Sequence, residues 1–180
     1  STRSDLSIAY TPGVAEVSKK IAENKEDIFK YTIKGNTVAV ITDGSAVLGL
    51  GNIGPEAALP VMEGKALLFK EFANIDAFPI CIKEQNTIKT IETIKNISTV
   101  FGGINLEDFK SPECFEIEEA LQDLGIPVMH DDQHGTAVVV LAGLINALKL
   151  RKSEPSDVRV IINGAGAAGI AVAKILIKYG

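Results

Sequence analysis

Two acidic pairs, Glu107-Asp108 and Asp131-Asp132, carry the clearest chemical meaning in this sequence. Each follows a short apolar run of the kind that forms a buried strand, and in open α/β sheets ligands collect outside the carboxyl ends of the strands. Carboxylates gathered in one crevice repel one another and lose hydration, so protons or a cation must neutralise them. An all-oxygen donor set selects a hard ion, Mg2+ or Mn2+, over zinc. The competing reading makes Glu107 and Asp108 ordinary loop acids and Asp131-Asp132 the cap of the next helix, whose N-terminus attracts negative charge. His130 and His134 stand four apart around the second pair, the spacing of two zinc ligands on one helix face. The acids between them are expected to interrupt that helix as its cap, which leaves the histidines hydrogen-bonded or facing solvent.

Glycine marks two further places. Gly164-Ala165-Gly166-Ala167-Ala168-Gly169 follows an apolar run and opens a helical pattern. There glycines allow a tight turn and close backbone approach to a pyrophosphate, while the helix N-terminus offers free N–H groups. A glycine-rich turn without a ligand is the alternative. Residues 43–54 contain Gly44, Gly49, Gly51 and Gly54 and suit a substrate loop at a strand end. Gly64-Lys65 is not a phosphate-binding Walker loop, because position 59 is Leu and Ala66 stands where Ser or Thr is needed. Lys65 lies in an apolar helical run. It either reaches out to solvent or, if burial lowers its pKa, acts as a base. Tyr10 reads from periodicity as a half-buried aromatic with no chemical role.

These residues need a frame. Residues 37–42, 77–82, 101–106, 127–129 and 158–163 read as strands. Helical patterns cover 14–24, 55–73, 87–98, 112–124, 134–150 and 167–179. Strands alternating with helices predict an α/β fold with a mainly parallel sheet. The polar segment 151–157, with Pro155, divides an N-terminal catalytic domain, 1–152, from the first βα unit of a Rossmann-type dinucleotide-binding domain, 153–180.

Composition narrows the class. Hydrophobic residues make up 46% and charged residues 23%, which excludes a disordered tail, a fibre or a coiled coil. A net charge of −5 gives no support to nucleic-acid or anionic-membrane binding. Cys81 and Cys114 are too few for a disulfide scaffold or a four-cysteine zinc site, so reduced thiols and a cytoplasmic setting are expected. The longest apolar stretch, 136–148, is broken by Gly143 and Asn146 and falls short of the ~20 residues of a bilayer span, so no transmembrane helix is expected. The N-terminal residues show neither a Met nor the charged and apolar regions of a signal peptide and the last residues stop in mid-pattern, so a piece of a longer protein is expected.

Taken together, residues 5–15 (DLSIAYTPGVA), 42–68, 103–109, 130–137 and 163–171 resemble the malic enzymes of the shorter bacterial and archaeal type. They come in the family's order and span nearly the whole chain. The resemblance implies oxidative decarboxylation of L-malate to pyruvate and CO2 with NAD or NADP and Mg2+ or Mn2+. It implies Tyr10 as general acid, Lys65 as general base, and Glu107, Asp108 and Asp132 as metal ligands. Asp131 would hydrogen-bond near the ion without ligating it, and Gly164–Gly169 would hold the dinucleotide pyrophosphate. A base role for Lys65 asks for a depressed pKa, which desolvation and a nearby cation would supply. A homodimer is expected, and these residues alone are expected to be inactive. Two alternatives remain open at this stage: an amino-acid-dehydrogenase-like oxidoreductase, which does not need the three acids as a metal set, and a catalytically silent oligomerisation or regulatory module.

Overall fold

The structure is a computed structural model and describes residues 2–180. It begins with an arm of short helices, α1 (Arg3–Ala9), α2 (Val14–Glu23) and α3 (Ile28–Tyr31), none of which buries a residue. The chain then enters a sheet of four parallel strands: β1 (Thr37–Thr42), β2 (Asp76–Cys81), β3 (Gly103–Leu106) and β4 (Val128–His130), in the spatial order β2-β1-β3-β4. Parallel strands need crossover connections, and helices provide them. Helix α4 (Pro55–Ala73) links β1 to β2, α5 (Thr87–Ile97) links β2 to β3, and α6 (Glu113–Glu119) links β3 to β4.

The expected α/β class with a mainly parallel sheet is therefore present. The central strands β1 and β3 are buried almost throughout, whereas the edge strand β2 leaves Phe78 half exposed. The core between β1, β3 and the helices is built from Ala39, Ile41, Ile94, Leu106, Phe109, Ile117 and Leu121. Helix α4 starts with Pro55 at its first position and stops at Asn74, whose φ of +52° is the left-handed conformation that ends helices.

Three expectations are corrected. Helix α6 ends at Glu119 and not near 124. From there the backbone tightens into bonds three residues apart, such as Leu121 N–H to Glu118 C=O, which turns Leu121 fully into the core. The helix after β4, α7 (Asp131–Arg151), starts three residues earlier than expected, so the Asp131-Asp132 pair forms its first turn; the cap position belongs to His130, which makes no side-chain cap bond. The strand expected at 158–163 is not formed. A strand exists only by pairing, and no described segment pairs with these residues, whose Val160, Ile161 and Ile162 side chains are exposed.

Helix α8 (Ala167–Tyr179) does form, and it packs against α7 through Ala137, Ala171 and Val172. By length and composition α7 is long and apolar enough to cross a membrane. That differs from the expectation from 136–148 alone, because the helix extends beyond this stretch at both ends. It carries Asp131 and Asp132 in its first turn and packs against α8 through Ala137, while Val138, Val139 and Leu150 are exposed.

Candidate active site

Register brings the two acidic pairs together. Ile41 of β1 lies beside Leu106 of β3, and Leu106 lies beside His130, the last residue of β4. Parallel strands that end level release Glu107-Asp108 and Asp131-Asp132 side by side. Glu107 is fixed by its N–H to the Ile41 carbonyl, 2.9 Å. Asp108 sits at φ +58°, a left-handed conformation that costs a non-glycine residue energy and is tolerated best by Asp and Asn. Its surroundings hold it there: its carbonyl accepts from Ala46 N–H at 2.9 Å and its N–H donates to Asp132 Oδ2 at 3.2 Å.

One carboxylate oxygen from each of Glu107, Asp108 and Asp132 lies within 4.8 Å of the others. Glu107 and Asp108 are buried. Burial pushes the Glu107 pKa up to about 7, against the opposing pull of Asn105 Nδ2, 2.8 Å away, and of Lys65. Burial and the charge of Asp132 push Asp108 up to about 6. Asp108 Oδ2 has no hydrogen-bond partner among the described residues although it is buried. An orphaned carboxylate oxygen facing two other carboxylates is what a bound divalent cation satisfies, so the donor set fits Mg2+ or Mn2+. Neither Asp131 nor Asp132 is at the cap of α7, although as its first turn both still lie where the helix N-terminus favours negative charge.

Lys65 comes to the same corner from α4. Its Nζ stands 2.7 Å from Asp131 Oδ2 and 3.1 Å from Glu107 Oε2. It therefore points inward and does not reach out to solvent. The expected depressed pKa is not found. Burial does pull it down, but the hydrogen bond to Asp131 and the charge of Glu107 outweigh burial and hold it above the ordinary lysine value. Asp131 faces Lys65 and is outside the converging three. Gly135 leaves it room, because a Cβ there would strike the Asp131 carboxylate.

The other sequence-identified residues lie apart. Tyr10 caps the end of α1, is 72% exposed and makes no side-chain hydrogen bond among the described residues. At Gly164–Gly169 the turn opens α8. Gly164 takes φ +132°, and Gly169 is needed where it is because an added Cβ would collide with the Gly164 carbonyl. Around Gly164 and Gly166 an added Cβ would meet only open space, which leaves one side of the turn and the free N–H groups of α8 accessible to a dinucleotide pyrophosphate. Of the histidines, His134 pairs with Glu118 at 2.6 Å. His130 is fully buried, its ring nitrogens making no hydrogen bond among the described residues.

Sequence reasoning missed Asn105, Ser45 and Glu118. Asn105 was detectable: a polar residue two positions before Glu107 in a buried strand shares its face. Ser45 joins the glycine loop to the acid corner, accepting Lys110 N–H at 2.9 Å while donating to Asp43. Glu118 had no signal, for it lies in a helix with three other glutamates.

Comparison with known proteins agrees with this geometry. Residues 1–91 match the family model "Malic enzyme, N-terminal domain" and residues 133–179 match "Malic enzyme, NAD binding domain". The chain is 61% identical over 177 residues to the bifunctional malic/malolactic enzyme of Bacillus subtilis, covering 98% of this chain and 43% of that protein. It is 61% identical to the NAD-dependent malic enzyme of Geobacillus stearothermophilus, covering 99% and 38%. The crystal structure of the NAD-dependent malic enzyme of Thermotoga maritima superposes with a TM-score of 0.98 at 56% identity, over 100% of this chain and 48% of that one. The chain thus spans about two fifths of the length of the curated relatives it matches. With both family models matched in order and the fold shared, the chain belongs to the malic enzyme family.

Proposed function

We propose that this chain carries the metal-binding and proton-transfer half of an enzyme that converts L-malate and NAD(P)+ to pyruvate, CO2 and NAD(P)H. The observation that carries the reading is the convergence of Glu107, Asp108 and Asp132 beside Lys65. Neither alternative accounts for it: an amino-acid dehydrogenase has no use for three converging acids, and a silent module has no reason to keep a buried carboxylate unpaired. A divalent cation on the three acids supplies charge that offsets negative charge developing on the substrate oxygen, and bound NAD or NADP supplies the hydride acceptor.

The chain's own residues move the protons. Lys65 accepts the proton of the C2 hydroxyl as C2 is oxidised. Asp131 and Glu107 fix the direction of its Nζ, and neutralising Glu107 removes one of the two attractions that hold Lys65 protonated. The base role therefore belongs to the metal-loaded site. Tyr10, whose phenol O–H can donate, returns a proton to C3 after CO2 departs. Gly164–Gly169 and the start of α8 hold the pyrophosphate. The domain division near residue 152 remains our reading of where the nucleotide-binding part begins.

The arm that bears Tyr10 exposes Leu6, Ile8 and Val14, and a homodimer that covers these side chains is the assembly we favour. The two cysteines are free, which suits a reducing, cytoplasmic compartment. The test is an assay of the full-length protein with malate, Mn2+ and each nucleotide in turn. NAD(P)H formation that EDTA abolishes and Mn2+ restores is expected. Turnover indifferent to EDTA contradicts the reading.

A further inference from the structure

Asp131 and Asp132 can act only if the corner from which they project is fixed, and that corner is an unprotected place. Strand β4 is three residues long and lies at the edge of the sheet, with its outward backbone groups unpaired by any strand among the described residues. Its last residue, His130, sits at the cap position of α7 but offers no side-chain cap. The first turn of a helix begun in this way frays unless something else ties it down.

Helix α6 and the turn after it supply the tie. Gln122 Nε2 donates to the Val128 carbonyl at 3.2 Å, taking one outward group of β4. Glu118 takes the next: its Oε1 accepts the His130 N–H at 3.1 Å. The same oxygen stands 2.6 Å from His134 Nε2, a charge-pair contact, and His134 lies one turn along α7. A single carboxylate oxygen therefore hydrogen-bonds to the strand end and touches the start of the helix. Between those two attachment points stand Asp131, which holds Lys65, and Asp132, which joins the carboxylate triad. The Glu118 side chain is only 12% exposed, so solvent does little to weaken its bond to the His130 N–H, while the His134 side chain, 54% exposed, leaves the second contact more screened.

We infer that Glu118 is a positioning residue for the metal site: it touches neither substrate nor ion, and it sets the place of Asp131 and Asp132 by clamping the β4–α7 corner. The inference rests on the triad being the metal site. Supporting groups of metal ligands typically contribute 10–100-fold in metal affinity, so loss of the clamp should cost about tenfold.

The experiment is a Mn2+ titration of the protein followed by the electron paramagnetic resonance signal of free Mn2+, with thermal melts in parallel. Wild type, Glu118→Ala, Glu118→Gln, His134→Ala and Gln122→Ala are compared. Glu118→Ala should weaken Mn2+ binding by about tenfold. Glu118→Gln keeps an acceptor oxygen for the His130 N–H and should recover most of that loss, and His134→Ala should fall between Glu118→Gln and Glu118→Ala. Gln122→Ala loosens the same strand edge away from the corner; it should lower the melting temperature with a Mn2+ Kd within twofold of wild type. If Glu118→Ala does not fold, the ordering of Glu118→Gln, His134→Ala and Gln122→Ala decides the matter. Glu118 and His134 variants that melt earlier but bind Mn2+ within twofold of wild type would show a purely structural clamp and overturn the inference while leaving the metal site intact. Wild-type protein that binds no Mn2+ would overturn the metal reading and this inference together.

Discussion

The strand ends bearing Glu107, Asp108 and Asp132 and the glycine turn at 164–169 are both places where an α/β chain offers charge or free N–H groups to a ligand, yet they are finished to different degrees. At the first, the register of β1, β3 and β4 aligns the strand ends, two acids are buried, and Lys65 already pairs with Glu107 and Asp131. At the second, the turn and helix α8 are in place, but the preceding residues 158–163 pair with nothing described and stay exposed. A carboxylate site is preorganised by a sheet it shares with the core, whereas a phosphate turn is only as well placed as the strand that leads into it.

The largest effect should come from the finished site. Lys65→Ala removes the base and leaves the three acids, so malate oxidation by the full-length protein should fall by ~10²–10⁴-fold. Mn2+ binding, followed in the same preparation, should be retained. Turnover within a factor of a few of wild type would remove Lys65 from the mechanism.

A smaller effect should separate two glycines in the unfinished one. Gly169→Ala places a Cβ against the Gly164 carbonyl and should lower the melting temperature even without ligand. Gly166→Ala meets nothing in the protein, so the melt should be unchanged while nucleotide affinity, measured by calorimetry, drops by roughly tenfold because the methyl occupies the open side where the pyrophosphate approaches. Equal behaviour of the two variants would mean that the turn is a packing element only.

The strand, helix and parallel-sheet pattern was legible because short β-branched runs such as β1 alternate with helical periodicity. Pro55 marked a helix start, and Asn74 supplied an ending that periodicity alone placed. What failed depended on partners. Residues 158–163 have the composition of a strand, but pairing is not written in a segment's own residues. The acid pairs were visible as chemistry. Their convergence needed the register of Leu106 with His130, and the charge state of Lys65 needed Asp131 and Glu107, which are 66 and 42 positions away. Tyr10 and Lys65 drew their roles from family resemblance, since nothing in the spacing around them distinguishes a catalytic group from an ordinary one.

A finer test of the finished site uses pH. Glu107 at about 7 and Asp108 at about 6 lie above the ~4.3 and ~3.9 of an unfolded chain, so the metal-free folded state holds these protons more tightly. Their contribution to stability is therefore present at low pH and lost as pH rises between about 4 and 7. The raised Lys65 stays charged over that window and does not change the sign. Mn2+ competes with the same protons, so the rise in melting temperature that it causes should be small near pH 5 and grow toward pH 8. A metal-induced shift independent of pH would contradict the burial of these carboxylates.

The central claim, that three carboxylates from two parallel strand ends form one divalent-metal site, is tested most directly by Mn2+ binding to wild type, Asp108→Asn, Asp132→Asn and Asp131→Asn. One Mn2+ per chain should bind to wild type and stabilise it by ~2.7 kcal/mol at a hundredfold excess over Kd. Asp108→Asn and Asp132→Asn should each abolish most of that gain, and Asp131→Asn, which loses the Lys65 partner but no triad oxygen, should keep most of it. Wild-type protein whose melt does not respond to saturating Mn2+, or equal losses in all three variants, would contradict the site.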